Sequence, residues 1–216
     1  MRFALVLLAL GLGALADEPK WEQKDFDCKQ PSGCDDEKCC QYGLAVYTRE
    51  KPGVEVKEVK AVGQVNATPE KVFQVVTDYE HQVGNMPYVQ DQAVFSRTEG
   101  EVTFWAVADF PFVSRRDWIV KSRLEKNLPG GVWRAAWEPA SVPGVPPPED
   151  GVVRLKVNTG SWTMQPIDGG KRTLATYQLL TDPGGSIPTF IANKANTTAL
   201  PELFARVRKR AEAKSP

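Results

Sequence analysis

Cys28, Cys34, Cys39 and Cys40 are the only cysteines in the 216-residue chain, and they crowd into one polar stretch, CKQPSGCDDEKCC. In an oxidising compartment such thiols form two short-loop disulfides, which stabilise a segment with little to bury by restricting its unfolded ensemble. Four cysteines permit three pairings. The one joining neighbours Cys39 and Cys40 is strained, so each of these is expected to pair with Cys28 or Cys34. Zinc is the alternative, but paired C-x-x-C ligands are missing. Other reactive groups are sparse. His81 is the sole histidine and sits beside Glu80 in an expected surface loop, and no serine or cysteine stands in a nucleophile motif. Asp109, Arg116 and Asp117 flank the Phe110-Pro111-Phe112-Val113 connection. They are expected to form a buried ion pair that fixes this loop, in preference to acting as acid and base. Gly169-Gly170 and Gly184-Gly185 read as turns, since the chain has no glycine-rich phosphate-cradle motif of the kind that follows a strand and opens a helix. No cofactor and no metal are expected.

The compartment is suggested by the amino terminus. Arg2 precedes the uncharged run FALVLLALGLGA, which ends in Ala14-Leu15-Ala16 before Asp17. That is the pattern of a signal peptide over residues 1–16, cleaved after Ala16, and the run is shorter than the ~20 apolar residues of a transmembrane anchor. A periplasmic or secreted protein is therefore expected. The 27 basic and 27 acidic side chains balance, so no field argues for nucleic acid. Residues 17–43 form an N-terminal segment holding the cysteines, and residues 44–212 one domain with a substantial core.

Periodicity supplies the scaffold. Trp21 to Phe26 reads as a short amphipathic opening, and Leu44 to Arg49 as the first convincing strand. Val54 to Val65 alternates, with Val59, Ala61, Gly63 and Val65 on one face. Thr68 caps a helix with Pro69 in its first position, and His81 to Met86 reads as helical or irregular. Further strands are expected over Val89–Arg97, Val102–Asp109, Arg115–Glu125, Val132–Trp137, Val152–Met164 and Arg172–Leu180, joined mostly by short turns as an antiparallel meander. A long helix should follow the Pro183-Gly184-Gly185 turn, with Ser186 as cap and Pro188 in its first turn. Ile191, Ala195, Ala199, Leu203 and Val207 form its apolar stripe, with Phe190, Leu200 and Phe204 beside it, and cations populate the opposite face and the end. Pro201 lacks an N–H, which weakens the helix near Thr197 and divides it into two segments that can hinge.

Alternation along the strands turns an aromatic face inward: Val102, Phe104, Ala106 and Ala108; Arg116, Trp118, Val120, Ser122 and Leu124; Trp133, Ala135 and Trp137; Val153, Leu155 and Val157. Two readings compete. Either these side chains fill the space against the final helix, or the small residues among them, with Ala192, Ala195 and Ala199 on the helix, leave a gap for an apolar guest.

A family resemblance rests on particular segments: VYTREKPG before an alternating strand, ATPEKVFQVVTDYE, MPYV, FPFVSRRDWIV, GSWTMQPIDGGKRTLATYQLLTDPGGSIP and the IANKA helix. Together, over about Trp21 to Arg208, they resemble a START domain, the steroidogenic-acute-regulatory-related lipid-transfer fold. The resemblance implies an α+β helix-grip architecture, a curved antiparallel sheet wrapped around a long C-terminal helix that lids a hydrophobic tunnel. Phe110, Pro111, Phe112 and Val113 would be the gating loop. It also implies that a monomer binds and transfers one lipid, a sterol, phospholipid or other, through transient membrane contact and without catalysis. The tunnel is then expected to be lined by Phe104, Ala106, Ala108, Arg116, Trp118, Val120, Ser122, Trp133, Ala135, Trp137, Leu155, Tyr177, Ile191, Ala192, Ala195 and Ala199. Arg116 matches the arginine of the family's R-D-aromatic motif and, with Asp117 and Trp118, would anchor the loop. Some sterol-binding members carry a buried acid and base beside that loop, where this chain has Phe104 and Ser122. Superfamily relatives act as polyketide cyclases, so an enzyme acting on a polycyclic substrate in the same cavity is the alternative. A third is an interaction module with a filled core that uses the cysteine segment as its contact surface.

Overall fold

The computed structural model describes residues 19–27, 43–110, 113–145, 148–185 and 187–213. The expected signal peptide and all four cysteines lie outside them, as do Pro111, Phe112 and Ser186. Among the described residues, ten strands form one sheet with three helices. The strands are β1 (Glu22–Asp27), β2 (Leu44–Lys51), β3 (Val54–Val65), β4 (Val89–Arg97), β5 (Glu101–Ala108), β6 (Arg115–Leu128), β7 (Val132–Pro139), β8 (Val152–Arg154), β9 (Val157–Ile167) and β10 (Arg172–Asp182). The helices are α1 (Pro69–Val76), α2 (Thr189–Thr198) and α3 (Leu200–Ala211). Sheet order is β1-β2-β3-β10-β9-β7-β6-β5-β4, antiparallel throughout, with β8 paired parallel to β6.

Local chemistry explains the elements. Val59, Ala61 and Val65 are fully buried at alternate positions of β3. At the start of α1 the Thr68 hydroxyl accepts from the Lys71 N–H at 3.3 Å, and Val72, Phe73 and Val76 turn inward. The sheet curls around α3, whose Leu200, Phe204, Val207 and Ala211 are buried. The closest approach is at Gly63 of β3, where a Cβ would stand 3.0 Å from the Phe204 ring. A side chain there would push the helix off the sheet. This is the expected α+β helix-grip arrangement.

Four details differ from the expectation. The opening segment is not an isolated amphipathic piece, because β1 adds to the sheet edge beside β2 and Trp21 lies 4.4 Å from both the Arg49 guanidinium and the Lys60 ammonium. The run Val152–Met164 is two strands. Arg154 donates to the Asp117 carboxylate at 2.5 Å and the Leu155 N–H to the Asp117 carbonyl at 2.9 Å, which draws β8 onto β6 before the chain crosses to pair β9 with β7 and β10. The C-terminal helix runs in the two segments expected of Pro201, which meet at Ala199, but it begins at Thr189 with Pro188 in the cap position and not in the first turn. Its cations, expected on the face opposite the apolar stripe and at the end, hold it down: Arg206 donates to the Gly84 carbonyl at 2.8 Å, Arg208 to the Gln64 carbonyl at 2.9 Å, and Arg210 to the Asp78 carboxylate.

Candidate functional site

Between the concave face of the sheet, the segment after α1, and the α2–α3 arm lies a cavity of about 220 Å³. Phe104 of β5, Trp118 and Val120 of β6 and Trp137 of β7 form one side, and Asn158 and Trp162 of β9 continue it. Tyr177, Leu179 and Thr181 follow at period two along β10, as alternation on one face requires. Val76, Tyr79, Gln82, Met86 and Tyr88 close a second side, and Ala195, Asn196, Ala199, Leu200 and Leu203 form the lid. Leu155 and Phe110 complete it.

Of the expected tunnel residues, Phe104, Trp118, Val120, Trp137, Leu155, Tyr177, Ala195 and Ala199 reach the cavity, together with Phe110 of the connecting loop. The rest are elsewhere. Ala106, Ala108 and Ala135 are fully buried in the packed core. Trp133 packs on Phe73 of α1 with ring centroids 5.1 Å apart. Ser122 is bonded to the Tyr79 hydroxyl at 2.8 Å, behind the Tyr79 ring stacked on Phe104. Val113 is not in the wall. Ile191 is 39 % exposed and Phe190 72 %, while Ala192 is buried in their place. The apolar stripe therefore enters the core one position later than helical spacing from Ile191 predicts.

Asn158 and Trp162 were missed because the inward positions were counted through a single strand. The break after β8 reverses parity, so Asn158, Gly160, Trp162 and Met164 face in, where Val157 was expected. Tyr79, Gln82 and Met86 lie in a stretch without period, so alternation does not place them, although Tyr79 and Met86 fall in segments that carry the family resemblance. Gly160 has a specific task. It pairs with Trp137 across the ladder, and a Cβ on it would stand 2.4 Å from the indole, so the absent side chain lets that ring lie against the sheet. The indole N–H then donates to Asn158 Oδ1 at 3.2 Å, with the Tyr177 ring 5.8 Å away.

The charged groups sit behind this wall. Arg116 and Asp117 are neighbours on β6 and point to opposite faces, so the expected ion pair among Asp109, Arg116 and Asp117 does not form. Asp117 is 2 % exposed and takes the Trp105 indole N–H at 2.9 Å as well as Arg154. Arg116 is equally buried and donates to the carbonyls of Ser114, Pro183 at 3.1 Å and Gly184 at 3.4 Å. It ties Ser114 to the turn before α2, while desolvation lowers its pKa. Among the described residues, no charged side chain lines the cavity. Burial pushes the Tyr79 hydroxyl up to about 12, against the opposing effect of its bond to Ser122, and raises Tyr177 further. Both are neutral at physiological pH. Among the described residues, no group of histidine, cysteine, aspartate or glutamate is placed to hold a metal.

Residues 65–208, which hold strands β4 to β10 and the helices as far as Arg208, match the family described as polyketide cyclase / dehydrase and lipid transport. The chain belongs to that family. Its START-like character is carried by solved structures. The STAR-related lipid transfer protein of Xanthomonas axonopodis is similar at a TM-score of 0.72 and 26% identity, over 89% of this chain and 99% of that one. Human StAR-related lipid transfer protein 5 superposes with a TM-score of 0.72 over 89% of this chain and 86% of its own, and its 17% identity speaks to fold alone. An uncharacterized protein of Pseudomonas aeruginosa is 27% identical over 152 residues, 70% of this chain and 73% of that protein. The START-like chain is thus a member of a family that includes both lipid-transfer proteins and cyclases.

Proposed function

We propose that this START-like protein is a carrier that takes one lipid or similarly apolar molecule into the cavity beneath α2 and α3 and releases it unchanged. The observation that carries this reading is the wall itself: mainly aromatic and aliphatic, with no charged group among the described residues. An apolar guest gains about 25 cal/mol for each Å² removed from water, so it binds there with few polar contacts. A cyclase needs a proton donor and acceptor near operating pH. The titratable groups in the wall are tyrosines, and the pKa values of Tyr79 and Tyr177 lie above the ordinary range, which favours carriage over catalysis.

The cavity volume of about 220 Å³ is below the ~300–1,000 Å³ of drug-sized sites. A single slender chain or compact ring system fits as the walls stand, and a larger lipid requires the lid to swing out. The lid's two halves are held unequally. Arginines fix α3 to backbone carbonyls on several sides, whereas α2 is tied by Asn193 accepting from the Lys57 N–H at 2.8 Å and Asn196 donating to the Thr181 carbonyl at 3.2 Å. Phe190 and Ile191 stand exposed on α2 near Lys194, a composition suited to transient contact with a membrane surface during loading. Action outside the cytoplasm, after cleavage at Ala16, belongs to the same proposal and is supported by the amino-terminal run alone.

Native mass spectrometry tests the reading. After incubation with vesicles made from lipids of the source organism, the protein should carry one lipid per chain. A protein that emerges empty, or that returns a chemically altered guest, overturns carriage.

A further inference from the structure

If the cavity carries a guest, its polar fittings restrict which one. Several polar side chains in the wall are occupied. Tyr79 and Ser122 satisfy each other, the Thr181 hydroxyl donates to the Val157 carbonyl at 3.1 Å, and the Asn196 amide donates to the Thr181 carbonyl. Others retain unused capacity, Gln82, Asn158 and Tyr177 among them. Gln82 is 7 % exposed and its side-chain amide meets no partner among the described residues. Asn158 is 8 % exposed. Because an indole N–H only donates, the atom facing Trp137 must be the Asn158 oxygen, which leaves its NH₂ group free to donate. Tyr177 presents a neutral hydroxyl that makes no hydrogen bond among the described residues.

We infer that the cavity selects an uncharged, mainly apolar molecule bearing one or two hydroxyl or carbonyl oxygens, with Gln82, Asn158 and Tyr177 as the specificity-determining residues. This rests on the carrier reading and narrows it. An ionised carboxylate or phosphate inside would be desolvated with no cation to meet it, a cost far above that of a neutral oxygen. A pure hydrocarbon would enclose three amide and hydroxyl groups without partners, and an unsatisfied buried group is as unfavourable in a complex as in a fold. A guest oxygen that both accepts and donates suits this set best: Asn158 offers a donor, and Gln82 and Tyr177 offer donor and acceptor alike.

The test compares dodecanol, dodecanoate and dodecane binding to the full chain by native mass spectrometry and competition, at about pH 8, where the acid is ionised. Dodecanol should bind at least about tenfold more tightly than dodecanoate, and more tightly than dodecane. Gln82→Met and Tyr177→Phe keep shape and should each reduce the preference for dodecanol over dodecane by about two- to tenfold, the effect of one lost hydrogen bond. Dodecanoate binding as well as dodecanol, or a preference unchanged in both variants, overturns the inference and leaves carriage standing. Uptake of none of the three overturns carriage and this inference with it.

Discussion

Gly160→Ala probes the wall at its tightest point. The added Cβ would stand 2.4 Å from the Trp137 ring and 2.4 Å from the Gln178 backbone oxygen, whereas ordinary contact begins at 3.4 Å. Ring and strand must both give way by about an ångström. The indole is the softer of the two, and displacing it breaks its bond to Asn158, worth about 0.5–1.5 kcal/mol. Overpacking adds about 1–3 kcal/mol, and replacing glycine within a strand returns up to about 1 kcal/mol. The net destabilisation is about 2 kcal/mol, which for a chain of this size lowers Tm by about 4–8 °C. The displaced ring also intrudes on a space of only about 220 Å³, so lipid uptake from vesicles should fall with stability. Thermal unfolding by circular dichroism measures the first effect and native mass spectrometry the second. Gly100→Ala is the control: a Cβ there meets nothing within 4 Å, and the variant should melt as wild type does. If Gly160→Ala melts within a degree of wild type, the account of Trp137 seated on a bare backbone is wrong.

Two further predictions concern the arm. Pro201→Ala restores an N–H next to the junction at Ala199 and should slow lipid exchange between vesicles, because a more continuous helix resists opening of α2; an unchanged exchange rate, at equal stability, removes the hinge. At Asp78, burial alone would raise the carboxyl, but the hydrogen bonds from His81 and Arg210 outweigh it and hold the pKa below its ordinary value. A depressed folded pKa contributes stability that is present above the unfolded value and lost as pH falls through the folded one. Asp78→Asn should therefore lower the urea midpoint at neutral pH, and the gap to wild type should close below about pH 4; a gap that is the same at both pH values counts against the ion pair.

The sequence carried the scaffold well wherever a period was intact. The helix cap at Thr68, the inward Val59, Ala61 and Val65, and the meander from β4 to β7 all follow from local rules, as does the helix break before Pro201. Legibility failed where a long-range partner overrode the local pattern. Nothing near Val152 announces that Arg154 must reach Asp117, 37 residues away, yet that buried carboxylate splits the strand and reverses which residues of β9 face the cavity. The arginines of α3 look like a solvated face in one dimension. In three they are the clamps that hold the helix down, because carbonyls at Gly84 and Gln64 come within reach.

What the sequence determined by itself is the kind of protein: strands of fixed period, one helix for them to grip, and a ring of aromatic and small residues with no catalytic constellation among them. These are statements about nearest neighbours along the chain, which propensity and alternation control. Whether that ring is filled or hollow was decided only by the tertiary structure. Ala106, Ala108 and Ala135 are closed over by packing, while Tyr79 and Gln82, from a segment without pattern, swing in to complete the wall. A cavity is the difference between the volume the strands enclose and the volume the side chains occupy, and that difference is set by curvature and by contacts between residues far apart in the chain.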